Sequence, residues 1–249
     1  MNGIKRVLYS VANLIALIVR PVANRVALNQ ASNIPLERRR QALVSTAAYV
    51  ERHMADIKPV TSKFDLLSIA LEQANLADDR LICEFGVFRG HTINHLAERT
   101  ARTIFGFDSF EGLPEAWSHG LPKGHFAVKK LPEVRSNVVL IKGWFHESLP
   151  PFLDQHKGAI GFLHVDCDLY SSTKIVLNQL KSRLAPGAVI VFDEYFNFPG
   201  WQQGEHKALQ EFLAESNLAV DFIGYNCKGE QVAVRLKQND SGGQTVKTS

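Results

Sequence analysis

The sequence predicts an α/β fold in which a mostly parallel β-sheet is flanked by helices and ends in an antiparallel hairpin. From residue 80 onward, short apolar runs alternate with helical stretches, which is the pattern of βαβ units. A turn with two glycines four residues apart follows the first apolar run. The last two runs are separated by only five residues, which is too short for a parallel crossover and suits a hairpin.

The composition is that of an ordinary globular protein. The chain has 249 residues, 45% of them hydrophobic and 21% charged, so it is long enough to bury a core without disulfide bonds. A net charge of +3 is too small to indicate a nucleic-acid partner, and none is expected. The three cysteines are far apart and show no metal-binding spacing, which favours a reducing, cytoplasmic location.

Seven strands are expected, joined by helices up to the final hairpin. Five of them should lie at residues 81–85, 103–107, 137–141, 159–165 and 188–192, and the hairpin strands at 220–225 and 231–236. Residues 111–132 hold six glycines and prolines and are predicted to form a long irregular loop, a lid or a binding loop. The predicted organisation is a helical extension over residues 1–60, a main domain over 61–236 and a disordered tail over 237–249.

The first helix is expected within residues 5–20, ahead of the Arg20–Pro21 pair. Its apolar residues recur at helical spacing and its uncharged stretch is too short to span a bilayer. We expect it to pack on its own domain or on a second subunit of a homo-oligomer. Peripheral contact with the inner face of a membrane is the alternative, since a basic amphipathic helix also suits a membrane surface.

The segment Glu84–Gly90 ends the first strand and opens a helix. Gly86 permits a tight turn and Gly90 a close helix contact, which leaves room for a ligand against the backbone. Glu84 adds a carboxylate suited to the cationic amino group of S-adenosylmethionine. A dinucleotide site would favour Gly-x-Gly-x-x-Gly, which this turn lacks. Five strands followed by a hairpin is also the strand order of a class I methyltransferase.

Two later positions support a nucleoside-containing cofactor. Asp108 ends the second strand, where a carboxylate can accept hydrogen bonds from both ribose hydroxyls. Trp144 follows the third strand, where it either flanks an adenine or caps the core.

Carboxylates also follow the fourth and fifth strands. Because parallel strands end at one edge of the sheet, Asp166, Asp193 and Glu194 should meet there, and their repulsion calls for a cation such as Mg²⁺. Such an ion would bind substrate oxygens and lower the pKa of an attacking hydroxyl. The proton would pass to Asp166, Asp168 or His206. The competing interpretation is that Asp168 caps a helix and Glu194 faces water.

Four segments together resemble the macrocin O-methyltransferase (TylF-type) family, namely Glu84–Gly90, Asp108–Pro114, Asp166–Thr173 and Phe192–Tyr195. The resemblance implies S-adenosylmethionine, Mg²⁺ and a sugar hydroxyl on a small-molecule or glycan acceptor. It implies that Asp166, Asp193 and Glu194 ligate the metal, although Glu194 replaces the usual Asp, and that residues 1–60 help form the acceptor pocket and the oligomer. Ser109, beside Asp108, is expected to bind the cofactor, as is Asp166.

Three other functions remain open at this point. A metal-free methyltransferase with His206 as base would ignore chelators. An NAD(P)-dependent oxidoreductase of the same fold class would change nicotinamide absorbance with an alcohol substrate. A docking protein without enzymatic activity would act through its first helix.

Overall fold

The computed structural model describes residues 2–77, 79–117 and 120–239, so residues 240–249 of the expected tail lie outside the described residues. The helices are α1 Asn2–Ala31, α2 Ile34–His53, α3 Lys63–Gln73, α4 His91–Ala97, α5 Phe145–Gln155, α6 Tyr170–Leu180 and α7 Glu205–Ala214. The strands are β1 Leu81–Phe85, β2 Ile104–Asp108, β3 Val138–Lys142, β4 Ile160–Val165, β5 Val189–Phe192, β6 Leu218–Tyr225 and β7 Val232–Gln238.

The strands form one seven-stranded sheet in the order β3-β2-β1-β4-β5-β7-β6. Strands β1 to β5 pair in parallel, whereas β7 is antiparallel to both β5 and β6. The predicted fold class, including the C-terminal hairpin, is confirmed. The chain runs from β1 outward through β2 to β3 and then returns to β4 on the other side of β1. In open α/β sheets, ligands bind outside the carboxyl ends of the strands at such a reversal point.

The central strands are buried on both faces, which explains their continuous apolar runs. Every residue of β4 is buried, and successive side chains point to opposite faces. Phe162 belongs to the apolar cluster on one face and Leu163 to the cluster on the other. His164, next along the strand, is therefore placed in the interior on the face of Phe162.

The sequence analysis assigned no residues to helix α5, the crossover between β3 and β4, which contains Pro150 and Pro151 although proline normally ends a helix. The helix persists because Leu149 and Phe152 bury their side chains against the sheet while both prolines stay exposed. Packing of this apolar stripe therefore outweighs the two lost backbone hydrogen bonds.

The N-terminal helices differ from each other in how they meet the main domain. α1 continues through Pro21 to Ala31, beyond its expected end, and its described large apolar side chains are exposed, so the expected packing on its own domain is not observed. α2 is anchored by a hydrogen bond between the Tyr49 and Tyr195 hydroxyls (2.9 Å) and by one from the Asn197 amide to Thr46 Oγ1 (2.9 Å). Among the described helices, none has both the length and the apolar character needed to cross a membrane.

Candidate active site

A cavity of about 710 Å³ opens at the carboxyl ends of β1, β2, β4 and β5, within the size range of small-molecule sites. Most of the residues predicted to act at a site line it: Gly86, Asp108, Ser109, Trp144, Asp166, Asp168, Asp193 and Glu194. Three predicted residues, Glu84, Gly90 and His206, do not belong to its lining. The strand-end argument therefore placed the cavity at the correct edge.

The turn after β1 is shaped by Gly86, whose φ is +94°. A Cβ at this position would lie 1.6 Å from the carbonyl oxygen of Asp166, so only glycine lets the turn approach the end of β4. The Gly86 amide donates to the carbonyl of Phe107 (2.9 Å), which fixes the turn against β2. Gly90 also has a positive φ, of +79°, but it starts α4 outside the cavity.

Asp108 is held by two backbone amides. Its Oδ2 accepts from the Phe88 N–H (2.7 Å) and its Oδ1 from the Phe110 N–H (2.6 Å). Both phenylalanines have a positive φ, 47° and 59°, which is uncommon for an aromatic residue and needs support from the surroundings. The carboxylate therefore fixes the loops after β1 and β2 while it faces the cavity.

Glu84 lies behind the cavity rather than in it. Its side chain is fully buried; Oε1 accepts from Thr92 Oγ1 (3.0 Å) and Oε2 pairs with His164 Nδ1 (2.8 Å). His164 Nε2 lies 3.6 Å from Asp193 Oδ1. Burial opposes protonation of this imidazole, but the Asp193 and Glu84 carboxylates outweigh it and raise the pKa of His164 to about 10. In this geometry Glu84 supports Asp193 through His164. Glu84 was expected to bind the amino group of a cofactor, but its side chain is buried and does not line the cavity.

The carboxylates of the β4 and β5 ends do come together. One oxygen each of Asp166, Asp168 and Glu194 lies within 4.8 Å of the others, and His164, Asp166 and Asp193 form a second such group. Glu194 Oε2 is buried and has no hydrogen-bond partner among the described residues. A buried oxygen without a partner, beside other carboxylates, fits a hard divalent cation. These groups differ from the predicted ligand set Asp166, Asp193 and Glu194: Asp166 belongs to both groups, but Glu194 is grouped with Asp168, and Asp193 with His164.

Burial, and after it mutual repulsion, governs the protonation of this cluster. Burial, together with the charge of Asp193, raises the pKa values of Asp166 and Glu194 well above their ordinary range. The same two causes raise the pKa of Asp168 to about 7. Burial would also raise the pKa of Asp193, but His164 and Lys63 outweigh it and lower that pKa. Asp193 is therefore the carboxylate held ionised.

Lys63, the first residue of α3, was missed by the sequence analysis. Its Nζ lies 3.3 Å from Asp193 Oδ2 and 3.9 Å from Asp166 Oδ2, at the wall of the cavity. Burial lowers the pKa of this amine, but the Asp193 and Asp166 charges outweigh it, so the pKa is raised. One signal was available: Ser62 caps α3, which puts a cation at a helix N-terminus, where the helix dipole favours an anion. A lysine there indicates an acidic partner elsewhere in the fold.

Glu205, at the start of α7, is a second missed residue. It is fully buried; Oε2 accepts from the Glu194 amide (3.0 Å) and Oε1 lies 3.5 Å from Thr173 Oγ1. Burial raises its pKa well above the ordinary value. No signal in the sequence distinguishes it, because a glutamate in the first turn of a helix is common. It holds the backbone of Glu194 in place.

His206 is not brought to the cavity. Its ring lies among the rings of Tyr49, Tyr195 and Trp201, with centroid separations of 5.4, 5.2 and 4.9 Å. Burial and the nearby His53 lower its pKa to about 4. In this position it serves the contact between α2 and α7, and the geometry gives it no access to an acceptor at the carboxylate cluster.

The long loop forms one wall of the cavity through Leu113, Trp117, Lys123 and Phe126. It is folded on itself: the Leu113 amide donates to the carbonyl of His125 (2.8 Å), and the Gly124 amide donates to Leu113 (2.9 Å). Residues 118 and 119 lie outside the described residues. The expected binding loop is therefore in place beside the site. The 1–60 extension was expected to help form the acceptor pocket. None of its described residues lines this cavity.

Comparison with known proteins finds similarity to methyltransferases over the region that forms the cavity. Residues 83–195 match the family model described as a methyltransferase domain. A tetracenomycin-type relative, 8-demethyl-8-(2,3-dimethoxy-alpha-L-rhamnosyl)-tetracenomycin-C 4'-O-methyltransferase of Streptomyces olivaceus, is 32% identical over 139 residues, which are 46% of this chain and 52% of the relative. Demethyldecarbamoylnovobiocin O-methyltransferase of Streptomyces niveus is 25% identical over 158 residues, 55% of each chain. The chain thus spans about half the length of the curated relatives it matches.

Solved structures agree on the fold. The calicheamicin methyltransferase CalS11 superposes with a TM-score of 0.54 at 23% identity, covering 84% of this chain and 85% of its own. The O-methyltransferase NovP superposes with a TM-score of 0.53 at 20% identity, covering 70% and 78%. The fold is the Rossmann-like fold of class I methyltransferases, as predicted.

Proposed function

We propose that the chain is an S-adenosylmethionine-dependent O-methyltransferase of the TylF type. One observation carries the proposal: the turn at Gly86, the ribose-type carboxylate Asp108 and the carboxylates after β4 and β5 line a single cavity. A methyl donor held by the first set lies beside an acceptor held by the second. The match of residues 83–195 to a methyltransferase domain supports the same reaction class.

The cofactor would lie over the turn after β1. Asp108 has both oxygens fixed by backbone amides, so it is preorganised to accept from the two ribose hydroxyls without losing side-chain entropy. Ser109 and Trp144 line the same part of the cavity and would contact the nucleoside. Glu84 acts indirectly, through His164, on the position of Asp193.

The reaction we propose moves a methyl group from the sulfonium to an acceptor oxygen. The C–S bond breaks as the C–O bond forms, and the hydroxyl proton passes to a carboxylate of the Asp166–Asp168 pair, both of which face the cavity. Holding the two reactants in line supplies most of the acceleration, since the sulfonium is already a reactive donor. His206 is not proposed as the base, because it lies in the aromatic cluster around Tyr49.

A divalent metal is part of the proposal. Asp166, Asp193 and Glu194 would hold it, and Mg²⁺ bound there would lower the pKa of the acceptor hydroxyl and orient it. The unpartnered Glu194 Oε2 supports this donor set. The chain's own contribution is to keep Asp193 ionised through His164 and to fix the Glu194 backbone through Glu205.

The acceptor we propose is a hydroxyl of a sugar or of a glycosylated metabolite. The cavity wall carries two aromatic side chains, Trp117 and Phe126, which suit the apolar faces of a sugar ring. The printed name of one relative includes a rhamnosyl group. We also propose that the chain works as a homo-oligomer in which the 1–60 extension contacts a second subunit through α2, where Leu43 and Val44 are exposed.

Calorimetric titration of S-adenosylhomocysteine and S-adenosylmethionine, with and without Mg²⁺, tests the core of this proposal. Both ligands should bind, and Asp193→Asn should leave this binding within about threefold while it abolishes Mn²⁺ binding followed by electron paramagnetic resonance. The exposed Asp154→Asn is the matched control for the metal measurement. Folded protein that binds neither ligand would refute the methyltransferase assignment, whereas Mn²⁺ binding that survives in Asp193→Asn would refute the metal site alone.

A metal-independent form of the same reaction is the second candidate. Lys63 places an ammonium 3.3 Å from Asp193, so the chain itself supplies a cation to the carboxylate cluster. In that case Lys63, rather than Mg²⁺, would neutralise the site. Product formation from an acceptor panel that is unaffected by a chelator but lost in Lys63→Met would favour this candidate.

A further inference from the structure

The helix α1 displays a continuous apolar surface. Val11, Ile15, Ile18 and Val22 follow one another at spacings of four, three and four residues, so they lie on one face, and we call this set the apolar stripe. All four side chains are exposed, Ile18 by 66% and Val22 by 60%. Leu8, Leu14 and Val19 are exposed beside the stripe. A row of this length at the surface of a folded chain indicates an interaction surface.

The charge around the stripe has one sign. α1 contains Lys5, Arg6, Arg20 and Arg25 and no acidic residue, and Arg38–Arg40 follow at the start of α2. Of the chain's 28 basic and 25 acidic residues, seven basic and one acidic lie within residues 2–40, a net charge of +6. The rest of the chain has 21 basic and 24 acidic residues, a net charge of −3. The positive charge of the protein is therefore concentrated on the segment that carries the apolar stripe.

The charged side of α1 lies opposite the apolar stripe, and the exposed Leu17 borders it. Arg20 lies two positions from both Ile18 and Val22, or about 200° around the helix, so it is on the opposite side from the stripe. Asn24 has the same relation to Val22 and is exposed. Arg25 continues the spacing of the stripe and ends it with a charge whose long side chain can reach a polar boundary.

We propose that α1 lies along the surface of an anionic phospholipid membrane, with the apolar stripe inserted at the level of the acyl chains. The stripe supplies the buried apolar area, and the basic residues of α1 and of Arg38–Arg40 are attracted to anionic headgroups. A second copy of α1 fits less well, because it would bring two helices without acidic residues together and the like charges would repel. This inference is independent of the proposed methyl transfer.

Vesicle flotation of the full-length protein tests the proposal. Vesicles of equal parts phosphatidylserine and phosphatidylcholine should carry the protein to the top of the gradient, with an affinity at least about tenfold above that for phosphatidylcholine alone. Equal affinity for both kinds of vesicle, or no flotation with either, would overturn the proposal.

Two variants with the same added charge separate insertion from electrostatics. Val22→Glu places a carboxylate in the apolar stripe, and Asn24→Glu places it two residues away on the opposite face. Both lose one unit of positive charge, so the difference between them reports the burial of Val22, which we expect to weaken binding by about tenfold more in Val22→Glu. Equal affinities of the two variants would overturn the insertion of the stripe.

The oligomeric state identifies the other occupant of this face. Light scattering after gel filtration of the full chain and of Val22→Glu should give the same mass for both if the stripe serves a membrane. A wild-type dimer that Val22→Glu converts to a monomer would assign the stripe to a second copy and overturn the proposal. Circular dichroism of both variants confirms that the fold is retained.

Discussion

The role of Lys63 can be tested by removing its charge alone. Lys63→Met retains a long, flexible side chain of similar volume but leaves Asp193 and Asp166 without their ammonium partner. The substitution therefore isolates the electrostatic contribution of this residue to the carboxylate cluster. It also shows whether the Lys63 ammonium group competes with a metal ion for the carboxylates.

The expected magnitude follows from the distances. The separation of 3.3 Å from Asp193, the carboxylate held ionised, gives an attraction of about 5 kcal/mol at an effective dielectric constant of about 20. The Lys63 side chain is 34% exposed, so water screens part of this, and desolvation of the charges offsets more. We expect Lys63→Met to lower the free energy of unfolding by about 2–3 kcal/mol, or the melting temperature by roughly 4–12 °C in a chain of this length.

Urea unfolding in the presence of a chelator measures this loss. Lys58→Met is the matched control, because Lys58 is exposed and the structure gives it no ion pair among the described residues. Adding Mg²⁺ should stabilise Lys63→Met more than it stabilises the wild-type protein, because the ammonium no longer competes for Asp193. Calorimetry should correspondingly show Mg²⁺ binding about tenfold tighter in the variant.

Two results would refute this reasoning. A variant whose stability in chelator lies within about 0.5 kcal/mol of the wild-type value would show that Lys63 does not neutralise the cluster. Weaker Mg²⁺ binding in Lys63→Met would show that the ammonium assists the metal rather than competing with it.

Three further predictions concern the loop, the aromatic cluster and the cofactor site. Gly86→Ala should lower the free energy of unfolding by more than about 3 kcal/mol, because the new Cβ would overlap a backbone carbonyl. Gly187→Ala, also at a positive φ of +91° but with open space around the new Cβ, should lower it by only about 1 kcal/mol. Urea unfolding compares the two variants. His206 has a folded pKa of about 4 against an ordinary 6.5, so the unfolded chain binds the extra proton and stability falls as pH drops from 6.5 to 4. His206→Phe should remove about 2 kcal/mol of that loss, as measured by unfolding of the variant and the wild-type protein at several pH values; equal slopes would contradict the assignment. Asp108→Ala should weaken S-adenosylhomocysteine binding about 30-fold in calorimetry, with Asp108→Asn in between; unchanged affinity in both would exclude the ribose contact.

Much of the fold was accessible from the sequence because its signals are local. Strands buried on both faces are mostly apolar, so the runs ending at Phe85, Val165 and Phe192 marked three central strands, although two of them carry a buried polar residue, Glu84 and His164. The five-residue connection before Gln231 excluded a parallel crossover and predicted the hairpin. The edge of the sheet at which the site lies was also predictable, because side chains just after parallel strands meet at one edge.

Where the sequence misled, the deciding contacts join distant residues. Glu84 and Gly86 lie in one motif, yet the strand alternation turns Glu84 toward His164, 80 residues away, and away from the cavity. His206 follows a strand that borders the site, but the rings of Tyr49, Tyr195 and Trp201 enclose it. A short stretch of sequence cannot distinguish these depths, because burial depends on which elements pack on each face.

The sequence by itself determined the fold class, the glycine turn after β1 and the carboxylates that follow β4 and β5. Each of these depends on backbone geometry or on residue patterns that span only a few residues. Only the tertiary structure decided what neutralises those carboxylates. Lys63, which supplies the positive charge, comes from a helix that precedes β1. Glu205, which holds the Glu194 backbone in place, comes from a helix beyond β5. Electrostatic partners of this kind are selected by distance in space, which no local pattern encodes.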